Sequence, residues 1–197
     1  MDVACIIRDP ISRRRFFGRA GVTFVGGSAV FLSACGESQD QKDEENEPSS
    51  PEADIDILND ALALELTAVE AYTKGAPLLT GAVLGAGEAF LAHEEEHAAA
   101  LEQAIVDLGG KATAVKQELD YSALQTQEDV LEFANNLENV AISAYVDSIP
   151  KLSSGPLRAT AAQIVTNEAE HVSVLLAALG VPAVPSAFVA GNPEALG

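Results

Sequence analysis

Two Glu-x-x-His pairs are the residues of this sequence whose types and spacing are best suited to chemistry. Glu94 precedes His97 by three residues, and Glu168 precedes His171 by the same interval. Side chains three residues apart lie on one face of a helix, one turn apart, so each pair could hold one cation. Carboxylate and imidazole are ligands that suit divalent iron and manganese. The spacing therefore predicts metal binding, provided that both pairs lie on helices.

Further glutamates lie on helical stripes that are otherwise apolar, as do the two pairs. Four carboxylates in one core would each carry a desolvation penalty of roughly several kcal/mol if they had no partner. Two divalent cations would balance the four negative charges. The pattern predicts a dinuclear metal site with the ligands Glu65, Glu94, His97, Glu138, Glu168 and His171. The alternative is that all six are surface residues of an acidic bundle.

Four helices have to position these residues. Apolar residues recur at spacings of three and four in segments that begin near Asp54, Gly81, Thr126 and Pro156. Thr126 followed by Asp129 is close to a capping box. Short Gly/Pro/Ser segments join the first helix to the second and the third to the fourth, as antiparallel hairpins require. About 16 residues separate the second helix from the third. At about 3.3 Å per residue they could run the length of a bundle. We expect an all-α, antiparallel four-helix bundle of two hairpins joined by a long crossover.

The two hairpins repeat one pattern, in which a tyrosine follows a glutamate by seven residues. Tyr72 follows Glu65, and Tyr145 follows Glu138, two turns along the same helix face. The default expectation for both tyrosines is core packing with a hydrogen-bonded hydroxyl. The sharper hypothesis is that each hydroxyl donates to a metal-binding carboxylate. The candidate catalytic residues are Glu94, Glu168, Tyr72 and Tyr145.

With these motifs the segment from about Asp54 to Leu179 resembles the ferritin-like superfamily. The resemblance implies that Glu94 and Glu168 bridge two metal ions and that Glu65, Glu138, His97 and His171 are terminal ligands. It also implies two iron ions as the cofactor, with two manganese ions as the alternative. The chain departs from rubrerythrins in having no Cys-x-x-Cys module. It also lacks the haem methionine of bacterioferritins, because Met1 is its single methionine.

The N-terminal residues 1–34 read as an export signal. They contain five arginines and two acids, followed by a short apolar run that ends in small residues. Arg13 and Arg14 lie in a segment that resembles the twin-arginine export motif. Leu32 to Cys35 resembles a bacterial lipobox, which implies cleavage before Cys35 and a lipid on its thiol. The alternative is a basic tail preceding a buried helix. The expected location is the periplasm or the outer face of the cell membrane.

Three further regions follow the signal. Residues 35–53 include seven acids and no large apolar residue after Cys35, which predicts a flexible tether. Residues 54–180 are the expected bundle. Residues 181–197, rich in proline, are expected to form an irregular tail.

Composition excludes several classes of function. The chain has 197 residues, and its 30 acids against 11 basic residues give a net charge of -19, which argues against binding nucleic acid or an anionic membrane surface. Cys5 and Cys35 are the only cysteines, too few for a cysteine-based zinc or iron–sulfur site. Of the other polar residues, His93 is expected at the surface. Glu70 and Glu95 are expected on solvated faces, with a shifting-ligand role as the alternative for either one.

Three functions remain open from the sequence. The first is Fe(II) oxidation with oxygen or peroxide as the acceptor. The second is dismutation of peroxide at a di-manganese site, and the third is metal binding or storage without catalysis. The expected partners are metal ions, oxygen or peroxide, and a membrane contacted through the lipid on Cys35. A monomer or homodimer is expected rather than a storage shell.

Overall fold

A computed structural model describes residues 50–196, which form four long helices and no strand. The predicted all-α four-helix fold is confirmed. The helices are α1 (Pro51–Gly75), α2 (Gly81–Asp107), α3 (Gln127–Ser148) and α4 (Gly155–Ala178). Short 3-10 turns, Ala76–Leu78 and Ile149–Lys151, follow α1 and α3. The predictions for Arg13, Arg14, Cys35 and the signal segment lie outside the described residues.

Side-chain caps fix where three of the helices begin. Thr126 and Asp129 form the predicted capping box at α3, each side chain accepting a hydrogen bond from the other residue's backbone N–H. Ser154 caps α4 through the backbone N–H of Leu157. Ser50 caps α1, with Pro51 in the first turn. Helix α1 therefore begins three residues before the predicted start at Asp54, because the Ser-Pro pair assigned to the tether is a helix start.

The helices pair as two antiparallel hairpins. Helix α1 packs against α2 and α3, and α4 packs against α3 and α2. The segment between α2 and α3 runs along α1, as its length predicts. Near the start of α1, Asn59 accepts a hydrogen bond from the backbone of Thr113 at 2.8 Å, and farther along Thr67 accepts one from Gln117 at 2.8 Å. This crossover lets α3 begin beside the C-terminal end of α1.

The tail after α4 crosses α3 without forming a helix. The backbone N–H of Asn192 donates to the carbonyl of Asn139 at 2.9 Å. Gly191 has a φ of 70°, and a Cβ there would lie 2.3 Å from the Asn139 carbonyl oxygen, so this close approach needs glycine. None of the helices between residues 50 and 196 combines the length and apolarity that crossing a membrane would need.

Candidate metal centre

The middle turns of the four helices carry all six residues predicted to be metal ligands. Five of them are almost fully buried among leucines and alanines, and the sixth, His97, has 12% of its side chain exposed. Each lies on the apolar stripe of its helix, so packing the helices turns every one of these side chains toward the bundle axis. The alternative of six surface residues is wrong.

The first group of ligand atoms surrounds Nδ1 of His97. This nitrogen lies 3.0 Å from Oε1 of Glu168, 3.3 Å from Oε2 of Glu65 and 3.5 Å from Oε2 of Glu94. The four atoms come from three helices and converge on one point. They form a group that could hold one metal ion.

The second group surrounds Nδ1 of His171 in the same way. The nitrogen lies 3.2 Å from Oε1 of Glu94, 3.3 Å from Oε1 of Glu138 and 3.3 Å from Oε2 of Glu168. Glu94 and Glu168 thus turn one oxygen toward each group, whereas Glu65 and Glu138 serve one group each. The arrangement is that of two adjacent sites joined by two shared carboxylates.

The ligand atoms are arranged to bind cations, because several of them make no hydrogen bond within the cluster. Both oxygens of Glu168, Oε1 of Glu94 and Nδ1 of each histidine are buried without a partner in hydrogen-bond geometry. Buried polar atoms are rarely left in this condition unless something else satisfies them. Ligand atoms about 2.0–2.2 Å from a shared cation lie about 3.0–3.5 Å apart, which is the spacing found here. The residues present therefore suit two metal ions.

The two imidazoles are held in their protonated form when no cation is bound. Burial opposes their charge, but the facing carboxylates outweigh it and raise the pKa of His97 to about 12 and that of His171 to about 11. The cause is the three carboxylate oxygens around each Nδ1. Metal binding must displace these protons, because an imidazole binds a metal through its neutral form.

The four carboxyls divide into a shared pair and an unshared pair. Burial raises the pKa of Glu65 to about 8 and that of Glu138 well above its ordinary value. Burial acts on Glu94 and Glu168 as well, but hydrogen bonds lower the pKa of both, from the close imidazoles to Glu94 and from Glu138 and the imidazoles to Glu168. Below the pKa of Glu65, two imidazolium groups therefore face two shared carboxylates, and the unshared pair holds its protons.

Each tyrosine of the repeat donates to an unshared carboxyl on a neighbouring helix. The hydroxyl of Tyr72 on α1 donates to Oε1 of Glu138 on α3, and the hydroxyl of Tyr145 on α3 donates to Oε1 of Glu65 on α1. Both hydroxyls make the hydrogen bonds that the sharper hypothesis for these tyrosines predicts, whereas a role in metal binding stays a prediction. Burial raises the pKa of both phenols well above its ordinary value, so both stay protonated donors.

His93 is the residue of this centre that the sequence interpretation missed. It is half-buried, and its Nδ1 lies 2.9 Å from Nε2 of His171. The two rings stack with their centroids 5.2 Å apart. The expectation of a surface histidine is wrong because His93 faces α4, not the solvent. A departure from the repeat could have drawn attention to this position. His93 precedes Glu94, whereas the residue that precedes Glu168 in the second hairpin is Asn167.

The remaining acidic residues near the motifs lie away from the two groups. Glu70 is half-buried and pairs with Lys116 of the crossover, and Glu95 is exposed. Neither belongs to a cluster of possible metal ligands among the described residues. The expected solvated position is found for Glu95, while Glu70 anchors the crossover.

Comparison with known proteins agrees with this geometry. The sequence profile of the ferritin-like domain matches residues 53–181, about two thirds of the chain. The chain belongs to the ferritin-like domain family. This domain contains all six residues of the centre. The comparison with curated proteins finds no significant match.

Several solved structures share the ferritin-like fold. A ferritin-like diiron-carboxylate protein from Bacillus anthracis is 24% identical with a TM-score of 0.60, covering 66% of this chain and 96% of that one. Bacterioferritin from Desulfovibrio desulfuricans is 20% identical with a TM-score of 0.60, covering 72% and 95%. A dodecameric thioferritin from Bacteroides fragilis is 24% identical with a TM-score of 0.57, covering 68% and 88%. At these identities the similarity shows the fold.

Proposed function

We propose that this ferritin-like domain binds two iron ions and oxidises Fe(II), with oxygen or peroxide as the electron acceptor. The observation that carries the proposal is the sharing of Glu94 and Glu168 between two groups of four ligand atoms. A pair of ions held this close can act together on one small oxidant. The solved diiron-carboxylate protein and the bacterioferritin diiron site on the same fold support iron as the metal.

Each side chain of the centre has a role in this proposal. Glu94 and Glu168 would hold both ions, while Glu65 with His97 and Glu138 with His171 would complete one site each. Iron would supply reversible one-electron redox chemistry and open positions for a small oxidant. Tyr72 and Tyr145 hold the unshared carboxyls in place through their hydroxyls.

The surroundings of the centre exclude water from one side more than from the other. Phe90 stacks on His171 with ring centroids 4.1 Å apart, and His171 has only 1% of its side chain exposed. His97 keeps 12% exposed. Ions and a small oxidant would therefore reach the centre from the His97 side.

Metal analysis combined with turnover tests the proposal. The purified chain is expected to bind two iron ions and to consume oxygen or peroxide when Fe(II) is added. Glu94→Ala plus Glu168→Ala should abolish both, and Glu95→Ala plus Glu96→Ala, at exposed positions on α2, should change neither. Fewer than two ions per chain, unaltered by the first pair, would refute the dinuclear site. Bound manganese with oxygen evolution from peroxide would support the di-manganese alternative, and tight metal without turnover would support storage.

We further propose that the domain acts outside the cytoplasm, tethered to a membrane by a lipid on Cys35. The proposal rests on the twin-arginine-like Arg13 and Arg14, the apolar run and the lipobox-like segment before Cys35. Cys35→Ala should move the protein from the membrane fraction to the soluble fraction, whereas Cys5→Ala should not. Equal membrane association of the wild type and Cys35→Ala would contradict the anchor.

A further inference from the structure

An apolar cavity of about 340 Å³ lies beside the metal centre, between the C-terminal part of α1 and the other three helices. Its wall is made of aliphatic side chains such as Val83, Leu131 and Leu175, with the rings of Tyr72 and Phe90. No charged side chain lines it, and its one side-chain polar atom is the Tyr72 hydroxyl, which is engaged with Glu138. It is open to the surface, because Ala82, Ala177 and Val174 in its wall are exposed.

The internal repeat provides a control for this cavity within the same molecule. The counterparts of Tyr72, Phe90, Leu131 and Leu175 in the other hairpin are Tyr145, Ile164, Leu58 and Leu101. These four residues lie in one buried cluster with Leu62 and Ile105, which are 1% and 0% exposed. At the positions equivalent to Leu62 and Ile105, the end of the bundle with the cavity has Asn135 and the half-buried Leu179. The other end also has a pocket, of about 210 Å³ beside Tyr145, but the charged side chains of Asp60, Asp147 and Lys151 line it. The cavity beside Tyr72 differs in having no charged side chain in its wall.

Two cavity residues also contact the metal centre. Tyr72 lines the cavity with its ring and donates its hydroxyl to Glu138. Phe90 lines the cavity and stacks on His171, with ring centroids 4.1 Å apart. A molecule in the cavity would therefore be separated from the centre by the thickness of one side chain. This position distinguishes the cavity from a packing defect elsewhere in the bundle.

We propose that this cavity binds a small, neutral, apolar organic molecule with one or two aromatic rings, held against Tyr72 and Phe90. The absence of charge in the wall argues against a carboxylate or phosphate group inside the cavity, because such a group would be buried without a partner. An apolar cavity of about 150 Å³ holds benzene, so this volume suits a molecule with a second ring. The two aromatic rings of the wall favour a flat partner that can stack. Binding itself needs no metal, so the proposal is independent of the proposed oxidation.

Tyrosine-selective NMR of the full chain tests the proposal with naphthalene as the probe. The chain has three tyrosines, and one of them, Tyr145, is the counterpart of Tyr72 beside the charged pocket at the other end of the bundle. Naphthalene is expected to shift the Tyr72 ring signals in a saturable manner and to leave Tyr121 and Tyr145 in place. Naphthalene-2-sulfonate, which has the same rings and a charge, should bind at least about tenfold more weakly.

Two filling variants and one matched control complete the test. Ala134→Leu and Ala86→Leu place a larger side chain in the wall and should each weaken naphthalene binding about tenfold or more. Ala99→Leu makes the same change at an exposed position of α2 and should bind as the wild type does. Thermal unfolding of each variant without naphthalene establishes that it is folded. If one of the two filling variants does not fold, the other is enough for the test.

Several results would overturn the proposal. One is no shift of Tyr72 up to the solubility limit of naphthalene, and another is equal shifts of all three tyrosines. Equal affinity for naphthalene and its sulfonate, or unchanged binding by a folded filling variant, would also refute it. A cavity covered by a second copy of the chain would give a dimer in which Tyr72 does not respond to naphthalene, and that result would refute it too.

Discussion

The two hairpins carry the same ligand pattern, but the two ends of the bundle surround it differently. At the end that holds His97, this side chain is 12% exposed, and Leu62 and Ile105 fill the core nearby. At the end that holds His171, that side chain is 1% exposed, contacts His93 and lies beside the apolar cavity. The ligand positions match because burying a carboxylate or imidazole requires a specific partner. The apolar surroundings can diverge because many combinations of side chains fill a core.

The largest effect is expected from separating shared from unshared carboxylates. Glu94→Ala should remove both ions, because this residue faces both groups, whereas Glu65→Ala should remove the ion beside His97 and retain the other. Plasma mass spectrometry of the purified variants measures the ions per chain. Glu95→Ala is the matched control, since it is the exposed neighbour of Glu94. Loss of both ions from Glu65→Ala would show that the two sites do not fill separately.

The second-largest effect is expected on stability, when a buried side chain is shortened at each end of the bundle. Ile105 is fully buried in the core at the His97 end of the bundle, and its counterpart Leu179 is half-buried against the residues that line the cavity. Ile105→Ala should lower the free energy of unfolding by about 2–5 kcal/mol, and Leu179→Ala by less than half as much. Urea unfolding followed by circular dichroism measures both. Equal losses would mean that the two ends of the bundle are packed alike, against the interpretation of the cavity.

The affinity for metal is expected to fall as the pH falls. At neutral pH His97 and His171 hold protons, since their pKa values are raised to about 12 and 11, and Glu65 holds one below a pKa of about 8. These protons compete with the cations, so affinity should drop at least about tenfold per pH unit from pH 8 to pH 6. Titration calorimetry in two buffers of different ionisation enthalpy counts the protons released.

The two unshared carboxyls should contribute to this pH dependence. Burial raises the pKa of Glu65 to about 8 and that of Glu138 well above its ordinary value, so both hold protons that a cation must displace. Glu65→Gln and Glu138→Gln each remove one such ionisable group and should make the metal affinity fall less between pH 8 and pH 6, as titration with Co(II) at both pH values would measure. A metal affinity that does not change with pH would contradict the protonated cluster.

The smallest effect is expected outside the ligand groups. His93→Ala removes the partner of His171 Nε2 and should weaken the adjacent ion about 10–100-fold. Asn167, its counterpart, bonds instead to Glu170 on its own helix, so Asn167→Ala should leave the other ion within about twofold. Competition with a chelator measures both affinities. If both substitutions weakened metal binding equally, the proposed difference between His93 and Asn167 would be contradicted.

Much of the fold was predictable because local signals agreed with one another. Apolar residues at spacings of three and four predicted the four helices, and the Thr126 capping box predicted the start of α3. The length of the crossover predicted that it runs along the bundle between the two hairpins. The start of α1 differs from the prediction because Ser50 and Pro51, which cap the helix, adjoin an acidic segment that has the composition of a tether. A capping signal of two residues is weak when its neighbours suggest disorder.

The sequence alone determined the identity of the buried polar residues, because carboxylates and imidazoles on apolar stripes have few alternatives to a shared cation. Only the tertiary structure decided which oxygen of Glu94 and Glu168 faces which group, and that His93 contacts His171 from 78 residues away. It also decided that an apolar cavity lies at one end of the bundle, beside Tyr72. Such features depend on rotamers and on the volumes of side chains from four helices at once, and no local pattern in one helix encodes them.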